Sequence, residues 1–359
     1  MTRLPARQNL PTRQRARSRR AMPALLGACA LLALLVVLGA GLVGSVPVPL
    51  HEVPMALGSL VAGSPDSMAA TLLDLRLGRA SSAFVTGAAL ALAGVMMQAL
   101  VRNPLADPYV LGVSAGAAVG ALAALLFGAA LWAVDLGAFG GAIAVSLLLY
   151  LLARRDLSGM RGGGRAGVST GESGVLLLTG VVLASACMAL VTLMLSVAPE
   201  SRLRGMVFWM IGDLAGTSWR LLPWVVLGSA LLLGLRRARA LNVMALHTDA
   251  AVTLGVDVVA QRRFLFVCSG LLTACAVTTG GSIGFVGLVV PHACRHAFGP
   301  DHRILLPAAA LAGGSFLVLA DTLARTVLAP QQLPVGVLTS LIGVPVFLFQ
   351  LHQLHLRRR

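Results

Sequence analysis

Long apolar stretches, separated by short polar or glycine- and proline-containing breaks, run through almost the whole chain. Most of these stretches approach the roughly 20 residues that an α-helix needs to cross a bilayer. The pattern predicts an all-α integral membrane protein with about ten transmembrane helices. The predicted segments lie near residues 24–44, 79–101, 109–130, 136–153, 173–197, 219–236, 262–280, 283–298, 304–328 and 335–352.

Two of the breaks fall inside the predicted membrane zone. One runs from Asn103 to Gly112, and the other covers residues 280–287 and is followed by Pro291. Irregular backbone at membrane depth is tolerated where protein surrounds it. Interruptions in corresponding places of two halves are typical of duplicated transporters. We therefore expect two broken or re-entrant turns within the bundle.

The composition supports a membrane protein and excludes several enzyme classes. Of the 359 residues, 57% are hydrophobic and 11% are charged, whereas a soluble domain has about 25% charged residues. All 28 basic residues are arginines. Without lysine, the chain has neither the lysine of a Walker A phosphate loop nor one that forms a Schiff base. If the protein uses ATP, we therefore expect another chain to bind it.

Arginine is distributed unevenly along the chain. With the amino terminus inside, most arginines fall on the cytoplasmic side, so the positive-inside rule places both termini in the cytoplasm. We expect an Arg-rich cytoplasmic tail over residues 1–21, a single transmembrane domain over residues 22–353 and a short cytoplasmic tail over residues 354–359.

Several motifs, in a fixed order, resemble those of one family. The first half contains RLGR at 76–79, NPLADPYVLG at 103–112 and SAGA at 114–117. The second half contains GFVGLVVPH at 284–292, DTLAR at 321–325 and LPVG at 333–336. Together they resemble the iron-chelate and cobalamin importer permeases, which are the membrane subunits of type II ABC importers. The resemblance extends from about residue 24 to residue 353.

The resemblance implies a function and a set of partners. It implies a homodimeric permease that moves a metal chelate across the bacterial inner membrane, with a ferric siderophore as first candidate and haem or cobalamin as others. It also implies two cytoplasmic ABC ATPase subunits, which bind ATP and Mg, and a periplasmic binding protein. We expect no cofactor, metal, nucleic acid or catalytic residue on this chain. The alternative is an ion- or proton-coupled secondary transporter that uses Asp321.

Three arginines are candidates for docking the binding protein. Arg76, Arg79 and Arg325 lie at predicted outer ends of helices, where positive charge is otherwise depleted. In the resembled family, matching arginines form salt bridges with glutamates of the binding protein. The alternative is that they anchor helix ends at the level of the lipid headgroups.

An acidic residue lies well inside one predicted span. Asp321 is four residues before Arg325, so the two side chains can pair on one helix face. Since a paired buried charge costs less than a lone one, we predict an intramembrane ion pair between them. The other interpretation is that Asp321 is a proton site.

The predicted cytoplasmic loop over residues 241–257 contains a short amphipathic helix. In the resembled family, this element is the coupling helix that inserts into a cleft of the ATPase. The alternative is a helix that lies on the lipid surface. His247 replaces the family's usual glycine. The residues expected to contact the ATPase are Leu246, His247, Asp249, Ala250, Leu254 and Gly255.

The two interrupted segments also provide candidate hinge residues. Their prolines and glycines break regular hydrogen bonding, and their polar side chains can satisfy the released backbone groups. We expect them either to form a gate at the cytoplasmic end of the pathway or to satisfy broken helix ends. His292 and His296 have a spacing that can bind a metal, but a role at the helix end is the preferred interpretation. The hinge candidates are Asn103, Pro104, Gly284, Gly287, Pro291 and His292.

Overall fold

The computed structural model describes residues 12–44, 46–63, 66–157, 172–217, 220–246 and 248–356. Within these ranges the protein contains thirteen α-helices, one 3₁₀ turn at Pro108–Leu111 and no β-strand. The helices are α1 (Thr12–Leu42), α2 (Val53–Val61), α3 (Met68–Val101), α4 (Val113–Leu126), α5 (Leu131–Leu157), α6 (Glu172–Val197), α7 (Glu200–Ile211), α8 (Leu221–Leu246), α9 (Thr248–Thr253), α10 (Val258–Gly280), α11 (Val286–Phe298), α12 (His302–Thr326) and α13 (Val335–Leu356).

Ten of the described helices coincide with the ten predicted apolar segments, which confirms the all-α membrane fold. Seven of them are long and apolar enough to cross a membrane: α1, α3, α5, α6, α8, α10 and α12. The helices α4 and α13 contain shorter apolar segments, and α11 has 13 residues. The other three helices, α2, α7 and α9, lie in connecting segments. Residues 1–11 of the predicted Arg-rich tail lie outside the described ranges.

Helix α3 forms the centre of the bundle. It has 34 residues, which corresponds to about 51 Å, and nearly every side chain from Arg79 to its end is buried. Ser67 caps its first turn, because its Oγ accepts a hydrogen bond from the Ala70 N–H at 3.1 Å. Helices α1, α8, α10, α11 and α12 all pack against α3. The core therefore follows this helix, while α1, α5 and α6 expose many leucines and valines, as lipid-facing helices do.

Small residues allow the closest helix contact of the first half. Gly116 and Gly120 of α4 face Gly137 and Gly141 of α5, each pair separated by four positions. A Cβ atom on Gly120 would lie 1.9 Å from the Gly137 carbonyl oxygen. Since glycine pairs with this spacing let two backbones approach within membranes, they fix the packing of α4 on α5.

Candidate functional site

A buried ion network joins α3 to α12 at one end of the bundle, which we call the Arg79 end. Arg79 Nε donates to both Asp321 carboxylate oxygens at 3.0 Å, and Nη2 donates to Oδ1 at 2.8 Å. Arg79 Nη1 also donates to Gln332 Oε1 at 2.9 Å. The Asp321 side chain is 1% exposed. Arg79 therefore binds the carboxylate with two nitrogens and links it to the segment before α13.

The predicted partner of Asp321 is also present in this network. Arg325 Nε lies 3.3 Å from Asp321 Oδ2, but it is not aligned for a hydrogen bond. Arg325 Nη2 donates instead to the Ala40 carbonyl at 3.2 Å, which ties α12 to α1. Helical spacing pointed to Arg325 alone, whereas the closer partner, Arg79, is 242 residues away in the chain. A local sequence pattern contains no signal for such a pair.

The third candidate docking residue, Arg76, has backbone partners. Its Nη1 donates to the Leu42 carbonyl at 3.2 Å and its Nη2 to the Val46 carbonyl. Arg76, Arg79 and Arg325 are each less than 10% exposed in the single chain. A partner that docks on these guanidinium groups must therefore compete with contacts that already exist.

More exposed arginines lie on α7. Arg202 and Arg204 are both exposed; Arg202 Nη1 contacts the Leu126 carbonyl, and the Arg204 guanidinium lies 5.4 Å from the centre of the Phe208 ring. They are not among the predicted docking residues, although their place in a predicted outer loop was a usable signal.

The two interrupted segments meet in the structure. The Tyr109 hydroxyl donates to the Ile283 carbonyl at 2.9 Å and accepts from the Ile283 N–H at 3.1 Å. Ser114 Oγ donates to Ser282 Oγ at 3.0 Å. The 3₁₀ turn before α4 therefore satisfies backbone groups that the break before α11 releases, as irregular backbone in a membrane requires.

The hinge candidates are divided between this junction and two other places. Asn103 and Pro104 are exposed after the end of α3, where Asn103 Oδ1 accepts from the Leu105 N–H at 3.0 Å. Gly287 lies at the junction, since a Cβ atom there would be 2.9 Å from the Leu90 carbonyl oxygen and from Pro108. Gly284 has open space around its Cα.

Pro291 and His292 lie within α11 and are buried. His292 Nε2 lies 3.2 Å from His296 Nε2, and His292 Nδ1 is buried without a hydrogen-bond partner. Among the described residues, no group of three or more His, Cys, Asp or Glu side chains is placed to hold a metal ion.

The segment expected to contact the ATPase forms α9 at the end opposite Arg79. His247 lies outside the described ranges, and only the backbone of Leu246, Asp249 and Ala250 is described. Val252 and Leu254 are 61% and 68% exposed, and Gly255 ends the helix with φ of +77°. A helix of six residues, with an exposed valine on it and an exposed leucine directly after it, therefore lies at this end.

A polar contact holds α8 to α12 near α9. Asn242 Nδ2 donates to Asp301 Oδ1 at 2.6 Å, and Asn242 Oδ1 accepts from the His302 N–H at 2.9 Å. Burial alone would raise the pKa of the Asp301 carboxyl, but the hydrogen bonds from Arg303 N–H and Asn242 lower this pKa below its usual range. The contact fixes the carboxyl-terminal part of α8, from which α9 begins.

Comparison with known proteins identifies the family. The FecCD transport family matches residues 30–353. The chain belongs to this family. It is 40% identical over 319 residues to a cobalamin import system permease protein, BtuC, of Halobacterium salinarum, covering 88% of this chain and 82% of the relative. It is 41% identical over 283 residues to the vitamin B12 import system permease protein BtuC of Escherichia coli O127:H6, covering 77% and 82%.

The fold of this FecCD family member also occurs in solved structures. A metal-chelate type ABC transporter in an inward-facing conformation has a TM-score of 0.78 and 29% identity, and the match covers 92% of this chain and 99% of the other. PsaBC from Streptococcus pneumoniae has a TM-score of 0.52 at 17% identity, which indicates a shared fold only. The resemblance found in the motifs is thus confirmed: the chain is the permease subunit of an ABC importer, a transporter and not an enzyme.

Proposed function

We propose that this chain imports a corrinoid, together with a second copy of itself, two ATPase subunits and an extracytoplasmic binding protein. The observation that carries the cargo class is the 40–41% identity to two permeases whose names specify cobalamin or vitamin B12. A ferric siderophore, the first candidate from the sequence motifs, becomes the second candidate, because the structural neighbour is described only as a metal-chelate transporter.

The arrangement in the membrane follows from the arginine distribution. The protein lies in the inner membrane of a bacterial cell. The Arg79 end faces the outside, where the binding protein docks, and α9 faces the cytoplasm. ATP and Mg are bound by the partner ATPase. Alternating access then moves the cargo, because nucleotide binding inside and docking outside favour different states of the bundle.

Docking on the outside uses arginine at the Arg79 end. Arg76 is the best candidate of the three, since its partners are carbonyl oxygens and not a carboxylate. Charge pairs of this kind orient the partner and speed association more than they increase affinity. The exposed Arg202 and Arg204 of α7 are further candidates for such charge pairs.

The cargo is tested with purified components in proteoliposomes. We expect radiolabelled cyanocobalamin to enter only when the permease, its cognate ATPase, its binding protein and ATP are all present, and to enter equally with a proton uncoupler. A ferric hydroxamate siderophore serves as the competing cargo. Transport of the siderophore alone would refute the corrinoid assignment, and uptake without ATP that an uncoupler abolishes would indicate the secondary transporter instead.

Coupling to the ATPase is tested on α9. Replacing Val252 and Leu254 by serine removes the apolar surface that a cleft would cover, so we expect loss of ATPase co-purification and of transport. Met55 and Val61 of α2 are 82% and 91% exposed, and their double serine variant is the matched control. Equal retention of the ATPase by both variants would contradict the coupling role.

A further inference from the structure

Three exposed arginines lie on α8 and α10, toward the α9 end. Arg236 and Arg239 belong to α8 and Arg263 belongs to α10. None of the three forms an ion pair with a side chain that the structure describes. Uncompensated positive charges on neighbouring helices attract an anion.

A neighbouring contact shows on which side of the helix pair Arg236 and Arg263 lie. The Arg237 guanidinium lies 4.2 Å from the centre of the Phe264 ring, which joins α8 to α10. The two helices run in opposite directions across this contact, because each predicted span reverses the chain. Successive residues turn by about 100° around a helix. Arg236 comes one residue before Arg237, and Arg263 comes one residue before Phe264. In an antiparallel pair, both therefore point to the same side.

On the same side of the helix pair, exposed aliphatic side chains lie between these arginines and the middle of the membrane. Leu232 lies one turn before Arg236 on α8 and is 52% exposed, and Val267 lies one turn after Arg263 on α10 and is 56% exposed. Leucine and valine at these positions face lipid tails in a spanning helix. The arginines therefore stand where the hydrocarbon ends and the phosphates of the lipid headgroups begin.

We propose that Arg236, Arg239 and Arg263 form a binding site for the headgroup of an anionic phospholipid. The planar guanidinium group matches phosphate oxygens with two hydrogen bonds, and basic clusters at helix ends bind anionic lipids of the cytoplasmic leaflet. The acyl chains lie along Leu232 and Val267. An ATPase surface is a poorer occupant, because it cannot cover aliphatic side chains that lie in the hydrocarbon.

The site has a consequence for the transport cycle. The carboxyl-terminal part of α8 leads directly into α9, so a lipid bound at Arg236 and Arg239 holds the segment that carries the proposed ATPase contact. The choice of leaflet rests on the proposed orientation, but the lipid site itself depends neither on the cargo nor on transport.

Native mass spectrometry of the purified full-length permease tests the site, with cardiolipin and phosphatidylcholine as probes. We expect the wild-type chain to retain cardiolipin, and Arg236→Gln, Arg239→Gln and Arg263→Gln each to weaken its binding about fivefold, the effect of one arginine beside an anionic surface. Phosphatidylcholine binding stays unchanged. Because all three side chains are exposed, the variants keep the thermal stability of the wild type.

Arg303→Gln is the matched control. Arg303 is also exposed, at the beginning of α12, where its N–H donates to Asp301 at 3.0 Å. This beginning of α12 contacts α8 at Asn242, which lies about 120° around the helix from Arg236. We expect it to leave cardiolipin binding within twofold. The proposal fails if Arg303→Gln weakens cardiolipin as much as the other three. It also fails if the three variants bind cardiolipin normally and lose the ATPase instead.

Discussion

At the scale of single residues, burial decides what an ion pair contributes. Asp321 and Arg79 approach to 2.8 Å with side chains that are 1% and 10% exposed. Asp135 and Arg220 approach to the same 2.8 Å, but about a third of each side chain is exposed. Removing one partner of a buried pair leaves an uncompensated charge, whereas an exposed pair contributes little.

We predict that Asp321→Asn lowers the free energy of unfolding by about 3–5 kcal/mol, because Arg325 then loses its carboxylate partner and Arg79 keeps only the more distant Asp213, at 3.9 Å. Asp135→Asn, the matched control at equal distance, costs about 1 kcal/mol or less. Chemical unfolding of the detergent-purified variants measures both. Similar losses for the two variants would mean that the network around Asp321 does not stabilise the fold.

The same network bears on how docking can be tested. Charge reversal at Arg79 would place a second carboxylate beside Asp321, so lost transport by that variant would not separate docking from folding. Arg76 and the exposed arginines of α7 are the positions at which binding-protein affinity can be measured without this complication.

At the scale of helices, the closest packing of α3 depends on one glycine. A Cβ atom on Gly94 would lie 1.9 Å from the Gly287 carbonyl oxygen of α11. The obstacle is backbone, so it cannot move aside as a flexible side chain would. Gly228 of α8 also lies within a helix, but its Cα has open space around it.

We predict that Gly94→Ala destabilises the protein by about 2 kcal/mol or more, as overpacked cores do. Gly228→Ala is expected to be neutral or to stabilise by up to about 1 kcal/mol, since alanine favours the helix. Thermal unfolding of the two purified variants gives the comparison. Equal melting temperatures would contradict the close approach of α3 and α11.

At the scale of the whole molecule, the two halves are joined where both are irregular. The hydroxyl of Tyr109 donates a hydrogen bond to the Ile283 carbonyl and accepts one from the Ile283 N–H. This contact connects the break before α4 to the break before α11 across 174 residues of sequence. The break before α11 therefore depends on a side chain of the first half to satisfy the backbone groups of Ile283.

We predict that Tyr109→Phe lowers the free energy of unfolding by about 1–3 kcal/mol, because the buried Ile283 N–H loses its acceptor. Tyr150, the other of the two tyrosines, packs its ring against Phe266 at 5.9 Å, and Tyr150→Phe keeps that contact. A matched loss of stability in both variants would show that the hydroxyl of Tyr109 has no special role at the junction.

Much of this architecture was predictable from local patterns. Apolar length alone gave all ten long or interrupted helices, and the spacing of Asp321 and Arg325 gave their proximity. The partners of Arg79 and Tyr109 were not predictable, because contacts between residues more than 170 positions apart depend on how helices pack and leave no periodic signal. The burial of Arg76 was missed for the same reason: its carbonyl partners carry no sequence signature.

The separation of Arg79 from Asp321 has a consequence for biosynthesis. Translation proceeds at about 5–20 residues per second, so the 242 residues between them delay the arrival of the carboxylate by roughly ten to fifty seconds. During that interval α3 is already made, and the guanidinium group of Arg79 lies at the membrane surface or pairs with another group. The ion pair between the central helix and α12 therefore forms only after one of the last helices has been synthesised.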